Sequence, residues 1–284
     1  MIPRSLLAKL PIKGIQDIKP VAGGMACESY LIRVPSHKYF IKIHRNPQPE
    51  TQFFQHEVEG LKLIGQVAKV PKVIDYGQIG SYGYLILNWI NFSGHVNQYE
   101  LGKMVAKVHK IHNDQFGLDH DYKGTQVPRI NHWQSSWIQF YIGQRLDIFV
   151  ELAKKQHLWN RWRDSHYQSL KNSFINYYSK PNNAVIPSLL HGDLWMGNCE
   201  FYHGEPMLID PDVFYGDREY DLAITSISPK EFKPEFYQGY NNVYPVKPGI
   251  KSRLLWYQFG YQMGQLNFFG EERGADVDKI LDKF

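Results

Sequence analysis

The pattern of apolar and polar positions changes character near residue 90. Before it the apolar runs are short and strand-like. IQDIKPVAGGMACESYLIRV gives two such runs around a glycine pair, and KYFIKIH alternates as a half-buried strand should. VPKVIDYGQIGSYGYLILNWI reads as two more strands around a Gly-rich turn. One helix interrupts them, QFFQHEVEGLKLIGQV, with Phe53, Phe54, Val58, Leu61 and Ile64 close to helical spacing. The polar, turn-like NFSGHV marks a boundary. After it helical spacing dominates. YELGKMVAKVHKIHN keeps Leu101, Met104, Val105, Val108 and Ile111 on one face. HWQSSWIQFYIGQRLDIFVELAKK and RWRDSHYQSLKNSFINYY read as two further helices. SLLHGDLWMGNCEFYHGEPMLIDPDVF reads as short strands carrying loops, and LLWYQFGYQMGQLNFFG returns to helix. The expected fold class is α+β, with a small β-rich lobe over residues 1–90 and a larger, mostly helical lobe over 91–284. The cleft between them is the natural ligand site.

Composition narrows the picture. Hydrophobic residues make up 43% of the 284, enough for a sizeable core and too many for disorder. The net charge of +4 is mild and dispersed, which argues against a nucleic-acid partner. No apolar run approaches the length that spans a bilayer, and the first residues lack a signal-peptide pattern. Two cysteines, Cys27 and Cys199, form no disulfide framework. A cytoplasmic protein without a membrane partner is expected; the oligomeric state is not encoded in any visible pattern.

HGDLWMGN, residues 191–198, sets an acid and an amide five positions apart in an apparent loop. Turn chemistry alone explains Gly, Asp and Asn in such a place. The surrounding chain argues for more. Phosphoryl transfer from ATP requires a cover over the phosphates, a cation on them, an anion holding that cation, a base near the acceptor and ligands for Mg²⁺. Candidates occur in that order. Gly23 and Gly24 lie between strands, where a side-chain-free backbone approaches phosphate closely. Lys42 stands in an apolar strand, on the face of Phe40, where a charge calls for a partner. Glu57, in the helix that follows, supplies one. Asp193 and Asn198 have the spacing of a kinase catalytic loop, as base and metal ligand, with Gly192 where an Arg is usual. Asp210 follows an apolar strand, as the second metal-binding acid would, and its hard oxygen suits Mg²⁺. Asp212 reads as a solvated turn residue.

These motifs resemble the fructosamine (ketosamine) kinase family, in the aminoglycoside-phosphotransferase branch of protein-kinase-like folds. FGLDHDYKGTQVPRINHWQSSWIQFYIGQRL, HGDLWMGN, IDPDVFYGDREYDLA and LNFFG all resemble stretches of that family, and the similarity runs over most of the chain. The resemblance implies a two-lobed kinase fold with Asp193 as base, Asn198 and Asp210 on Mg²⁺, and Lys42 on the phosphates of ATP with Glu57 behind it. It implies that adenine meets the backbone from Asn88 through Trp89 to Ile90, although the family usually has Glu where Asn88 stands. It implies Asp221 as a brace beneath the catalytic loop. Where family members often have Cys, this chain has Met25, and its Cys27 falls where Asn or Ser is usual; a thiol switch is therefore in doubt. The implied reaction is phosphorylation of the 3-hydroxyl of a ketosamine on a small amine or a protein lysine, whose product falls apart and deglycates the amine.

Three tryptophans are candidates for stacking on a sugar. Trp195 lies two residues past the base. Trp133 and Trp137 share a helical face at i, i+4. Substrate contact is expected for Trp195 and Trp133, and a core position for Trp137. His109 and His112 lack a third metal ligand and read as surface histidines.

Overall fold

Alternating burial along short strands builds the first region, as the pattern of apolar positions requires. In the computed structural model, which describes residues 2–21, 27–45, 53–92, 94, 96–122 and 127–284, the chain starts with a short helix, α1 (Arg4–Leu7). Five strands follow: β1 (Asp17–Pro20), β2 (Glu28–Arg33), β3 (Lys38–Arg45), β4 (Val73–Ile79) and β5 (Tyr82–Asn88). They pair antiparallel in the order β1-β2-β3-β5-β4. The turn between β4 and β5 places Gly80 at φ +60°, a conformation glycine adopts without penalty.

The two faces of this sheet have different partners. Ile41 and Ile43 of β3, with Ile32 and Ile86, pack on Ile2, Leu6, Leu10 and Ile12 of the N-terminal segment. Phe40 lies on the opposite face with Leu85 and Leu87, against Phe53, Phe54 and Leu61 around helix α2 (Gln55–Ile64). Lys42 shares that second face and pairs in register with Leu85.

The rest of the chain is mainly helical. Helix α3 (Gln98–Val108) is capped by the Asn97 side chain, which accepts from Glu100 N at 3.2 Å. The helix expected from residue 132 begins instead at Trp137, after a Ser136 cap. It runs through α4 (Trp137–Tyr141), a π-helical stretch (Ile142–Leu146) and α5 (Asp147–Lys155). Helix α6 (Arg161–Tyr178) follows, then strands β6 (Ser188–Leu190), β7 (Cys199–Tyr202), β8 (Glu205–Leu208) and β9 (Phe214–Gly216). β6 pairs with β9 and β7 with β8, both antiparallel. Helices α7 (Glu219–Ile227), α8 (Pro234–Val243), α9 (Ile250–Phe269) and α10 (Gly274–Leu281) complete the chain. The largest core cluster joins α4 to α6, α9 and α10 through Phe140, Tyr141, Phe174, Tyr257, Met263 and Ile280. None of the helices among the described residues is long and apolar enough to cross a membrane.

Candidate active site

Lys42 is buried, so its ammonium must be compensated. Its Nζ donates to Glu57 Oε1 at 2.8 Å and to Asp210 Oδ1 at 2.7 Å. Burial alone would lower the Lys42 pKa; the two carboxylates outweigh it and hold the pKa above its ordinary value. The expected strand–helix pair is thus present, and Lys42 also reaches an acid 168 residues away.

The HGDLWMGN segment follows β6 and leads into β7. Gly192 has φ +81°, and a Cβ there would fall 1.8 Å from the Asp212 carbonyl oxygen. The Arg that is usual at this position has no room. Beneath the loop, Asp221 of α7 is fully buried and accepts from His191 N at 2.7 Å, Gly192 N at 2.9 Å and His109 Nε2 at 3.0 Å. Asp221 is the brace that the resemblance implied. His109, expected at the surface, is fully buried because it completes this brace, with Tyr240 OH donating to its Nδ1 at 2.8 Å. His191 Nε2 donates to Ile209 O at 3.0 Å, which fixes its neutral tautomer, and burial keeps its pKa below the ordinary value.

Asn198 Nδ2 donates to Asp193 O at 2.9 Å and to Asp193 Oδ2 at 3.0 Å. Tyr261 OH of α9 donates to Asp193 Oδ1 at 3.3 Å. Burial, then the neighbouring carboxylates of Asp212 and Asp210, push the Asp193 pKa up to about 7. The β7–β8 hairpin brings Ile209 opposite Asn198, its amide donating to Asn198 O at 3.1 Å, and Asp210 follows directly. Asp210 holds a left-handed φ of +54°, unusual for a residue with a side chain. Its carboxylate is 40% exposed, so an oxygen remains accessible beside Lys42. Because Asn198 points its amide nitrogen at Asp193, its side-chain oxygen is turned away from that carboxylate. One carboxylate and one amide oxygen are the hard donors that Mg²⁺ takes from protein when nucleotide phosphates and water complete its shell. The described residues contain no group of three or more His, Cys, Asp or Glu side chains that could hold a metal by themselves.

Asp212 is not the solvated turn residue expected. Its Oδ2 accepts from Arg129 Nε at 2.8 Å and its Oδ1 from His56 Nε2 at 2.9 Å. Burial would raise its pKa, but Arg129 and His56 outweigh burial and hold it well below the usual carboxylate range. The His56 ring stacks on Tyr122 at 4.9 Å, so α2 is held against the segment that carries Arg129. Arg129, His56, Asp212 and Tyr261 are site residues that the motifs missed.

Several of these groups line one cavity of ≈ 260 Å³: Glu57, Arg129, Asp193, Asp210 and Asp212, together with Tyr261 and its neighbours on α9. Neither Trp133 nor Trp195 lines it, contrary to expectation. Trp133 Nε1 donates to Asp119 at 3.0 Å and its ring leans on Tyr215. Trp195 is half-buried against the helical core and covers Gly197, where a Cβ would fall 2.1 Å from its ring. Trp137 is a core residue, as expected, and donates to Tyr257 OH at 3.0 Å. At the end of β5, the amides of Asn88 and Trp89 already donate to Lys72 O and Lys38 O, at 3.0 and 3.1 Å. The Ile90 amide makes no such bond among the described residues. Cys27 is half-buried, and burial, partly opposed by Lys42, pushes its thiol up to about 12, the reverse of a reactive thiolate. Gly23, Gly24 and Met25 lie outside the described residues.

The chain is similar to known proteins over nearly its whole length. The family described as "Fructosamine kinase" matches residues 4–284. A protein of Lactiplantibacillus plantarum named "Probable ketoamine kinase" is 48% identical over 284 residues, covering 100% of this chain and 99% of its own. A crystal structure of a candidate fructosamine-3-kinase from Haemophilus somnus superposes with a TM-score of 0.82 at 27% identity, over 95% of this chain and 91% of that one. A thermostable mutant of the aminoglycoside phosphotransferase APH(4)-Ia has a TM-score of 0.64 at 14% identity over 99% of both chains, a likeness of fold.

Proposed function

The chain belongs to the fructosamine kinase family, and from that premise we propose that it transfers the γ-phosphoryl group of ATP to the 3-hydroxyl of a ketosamine. The acceptor class follows the names of its relatives. The observation that carries the reading is the convergence of Glu57, Asp193 and Asp210 on one cavity, from segments far apart in sequence, with Lys42 bonded to Glu57 and Asp210 behind it.

In this reading residues 1–90 form the nucleotide-covering lobe and residues 91–284 the catalytic and acceptor-binding lobe. Lys42 neutralises phosphate oxygens and is held by Glu57. Adenine docks at the backbone of Asn88, Trp89 and Ile90, with the Ile90 amide as its donor. Gly23 and Gly24 cover the phosphates. Asn198 and Asp210 hold Mg²⁺, which when bound offsets the negative charge that builds on the phosphates. Asp193 takes the proton of the acceptor hydroxyl as the new O–P bond forms and the bond between the β- and γ-phosphates breaks, releasing ADP. Donors from Asn198 and Tyr261 fix both of its oxygens. A pKa near 7 suits a base that must be free to accept a proton at neutral pH. The phosphorylated adduct then decays and frees the amine, whether a metabolite or a protein lysine. Two unpaired cysteines fit a reducing cytoplasm.

The test is ADP release with Mg-ATP and a panel of fructosamines, ribulosamines and erythrulosamines, against the unglycated amines. Turnover with one or more ketosamines and none with the free amines is expected. Silence across the whole panel would overturn the reading.

A further inference from the structure

Helix α9 carries a row of residues that starts at the base. Tyr261, Gly264, Gln265 and Phe268 stand at i, i+3, i+4 and i+7, hence on one side of the helix. Tyr261 touches Asp193, and all four line the cavity. At about 1.5 Å of rise per residue the row runs about 10 Å away from the base.

Gly264 in this row lacks a packing reason. A glycine inside a helix costs about 0.5–1 kcal/mol relative to alanine. One turn earlier, Gly260 has such a reason, since a Cβ there would fall 2.2 Å from the Tyr141 hydroxyl. At Gly264 a Cβ would meet no atom within 4 Å. The open space is the cavity itself. Beside it, the Gln265 carboxamide has no hydrogen bond to any described residue and lines the same wall.

A ketosamine has two parts to accommodate: a polyol next to the reacting hydroxyl, and an amine substituent that ranges from a methyl group to a protein side chain. Resting on the acceptor class proposed above, we infer that Gly264 sets the size limit of the acceptor by leaving a passage for the amine substituent, while Gln265 hydrogen-bonds the sugar.

The experiment compares kcat/KM for two ketosamines, one made from methylamine and one on the lysine of a short peptide, in the wild type and in Gly264→Ala, Gly264→Leu and Gln265→Leu. Gly264→Leu is expected to shift the ratio toward the methylamine adduct by about tenfold or more, because its side chain would occupy the passage that the larger substituent needs. Gly264→Ala shifts it less. Gln265→Leu raises KM for both adducts and leaves their ratio in place. Melting curves and calorimetry of Mg-ATP binding report on folding and on the nucleotide site; should the leucine variant fail to fold, the alanine variant, which favours helix, carries the test. Equal losses on both adducts in the Gly264 variants, or no loss in them, would overturn the inference while leaving the proposed function standing. A wild type that turns over neither adduct overturns that function and this inference with it.

Discussion

Asn198 holds Asp193 twice, donating from one amide nitrogen to the backbone carbonyl at 2.9 Å and to the carboxylate at 3.0 Å. The spacing of five residues is what lets the amide fold back on the acid. A plain turn would satisfy the carbonyl alone. Here the second bond fixes the carboxylate rotamer, and the amide oxygen is left to face the other way.

Asp193→Asn and Asp210→Asn should therefore fail differently. The first removes basicity and keeps size, and turnover should fall about 10²–10⁴-fold. Its Mg-ATP affinity should hold. The second removes charge from the proposed metal site; asparagine tolerates the left-handed backbone at +54°, so folding should survive. Mg-ATP affinity and turnover should fall together. Calorimetry of both variants decides; equal loss of nucleotide binding would place Asp193 on the nucleotide side.

Gly192→Ala should disable the loop. The added methyl would collide with the Asp212 carbonyl, at a backbone φ of +81° that disfavours any side chain. The loop must move, and with it both Asp193 and Asp212. Turnover should drop at least as far as in Asp193→Asn, with a lowered melting temperature. An alanine variant with native turnover and melting would show that the loop accommodates a side chain.

Arg129→Ala should destabilise the fold by about 2–3 kcal/mol, somewhat less than the loss of a fully buried partner, because solvent reaches part of the pair. The guanidinium is 25% exposed and Asp212 23%. Urea unfolding measures the loss. Arg129→Ala combined with Asp212→Asn should recover part of it, since the uncompensated charge is then gone.

Stability should decline in mildly acidic solution partly through His191. Its folded-state pKa lies below the ordinary 6.5, so the unfolded chain binds the proton more readily. This contribution is present above pH 6.5 and is lost as pH falls below it. A His191→Gln variant should show a flatter melting temperature between pH 7 and pH 5 than the wild type. Parallel curves would remove His191 as a source of the acid sensitivity.

The 191–198 loop is legible in the sequence because its pattern is local. Asp193 and Asn198 belong to one short segment, and a strand–helix order announces Lys42 and Glu57. Arg129 and Asp212 are 83 residues apart, His56 and Asp212 156, and Asp193 and Tyr261 68. No periodicity records such meetings. His109 lies on a helix with a recognisable apolar face, but its burial depends on Asp221 and Tyr240, 112 and 131 residues away. Trp133 and Trp195 look like sugar platforms from their proximity to motifs. Their rings are instead spent on Tyr215 and on the turn at Gly197. The α2 pairing of His56 shows the same limit: in sequence it is one polar residue on a helix, and in space it clamps that helix to the acid beside the cavity.

The N-terminal segment gives the sheet that carries Lys42 one of its two skins. Ile2, Leu6, Leu10 and Ile12 blanket the side of β3 that Ile41 and Ile43 present, directly behind the lysine. A protease cut that freed this segment would bare an adhesive aliphatic surface and slacken the strand at the same stroke. Nicked molecules should therefore self-associate and bind a hydrophobic dye, while their hold on nucleotide weakens even though every polar group facing the cavity is untouched.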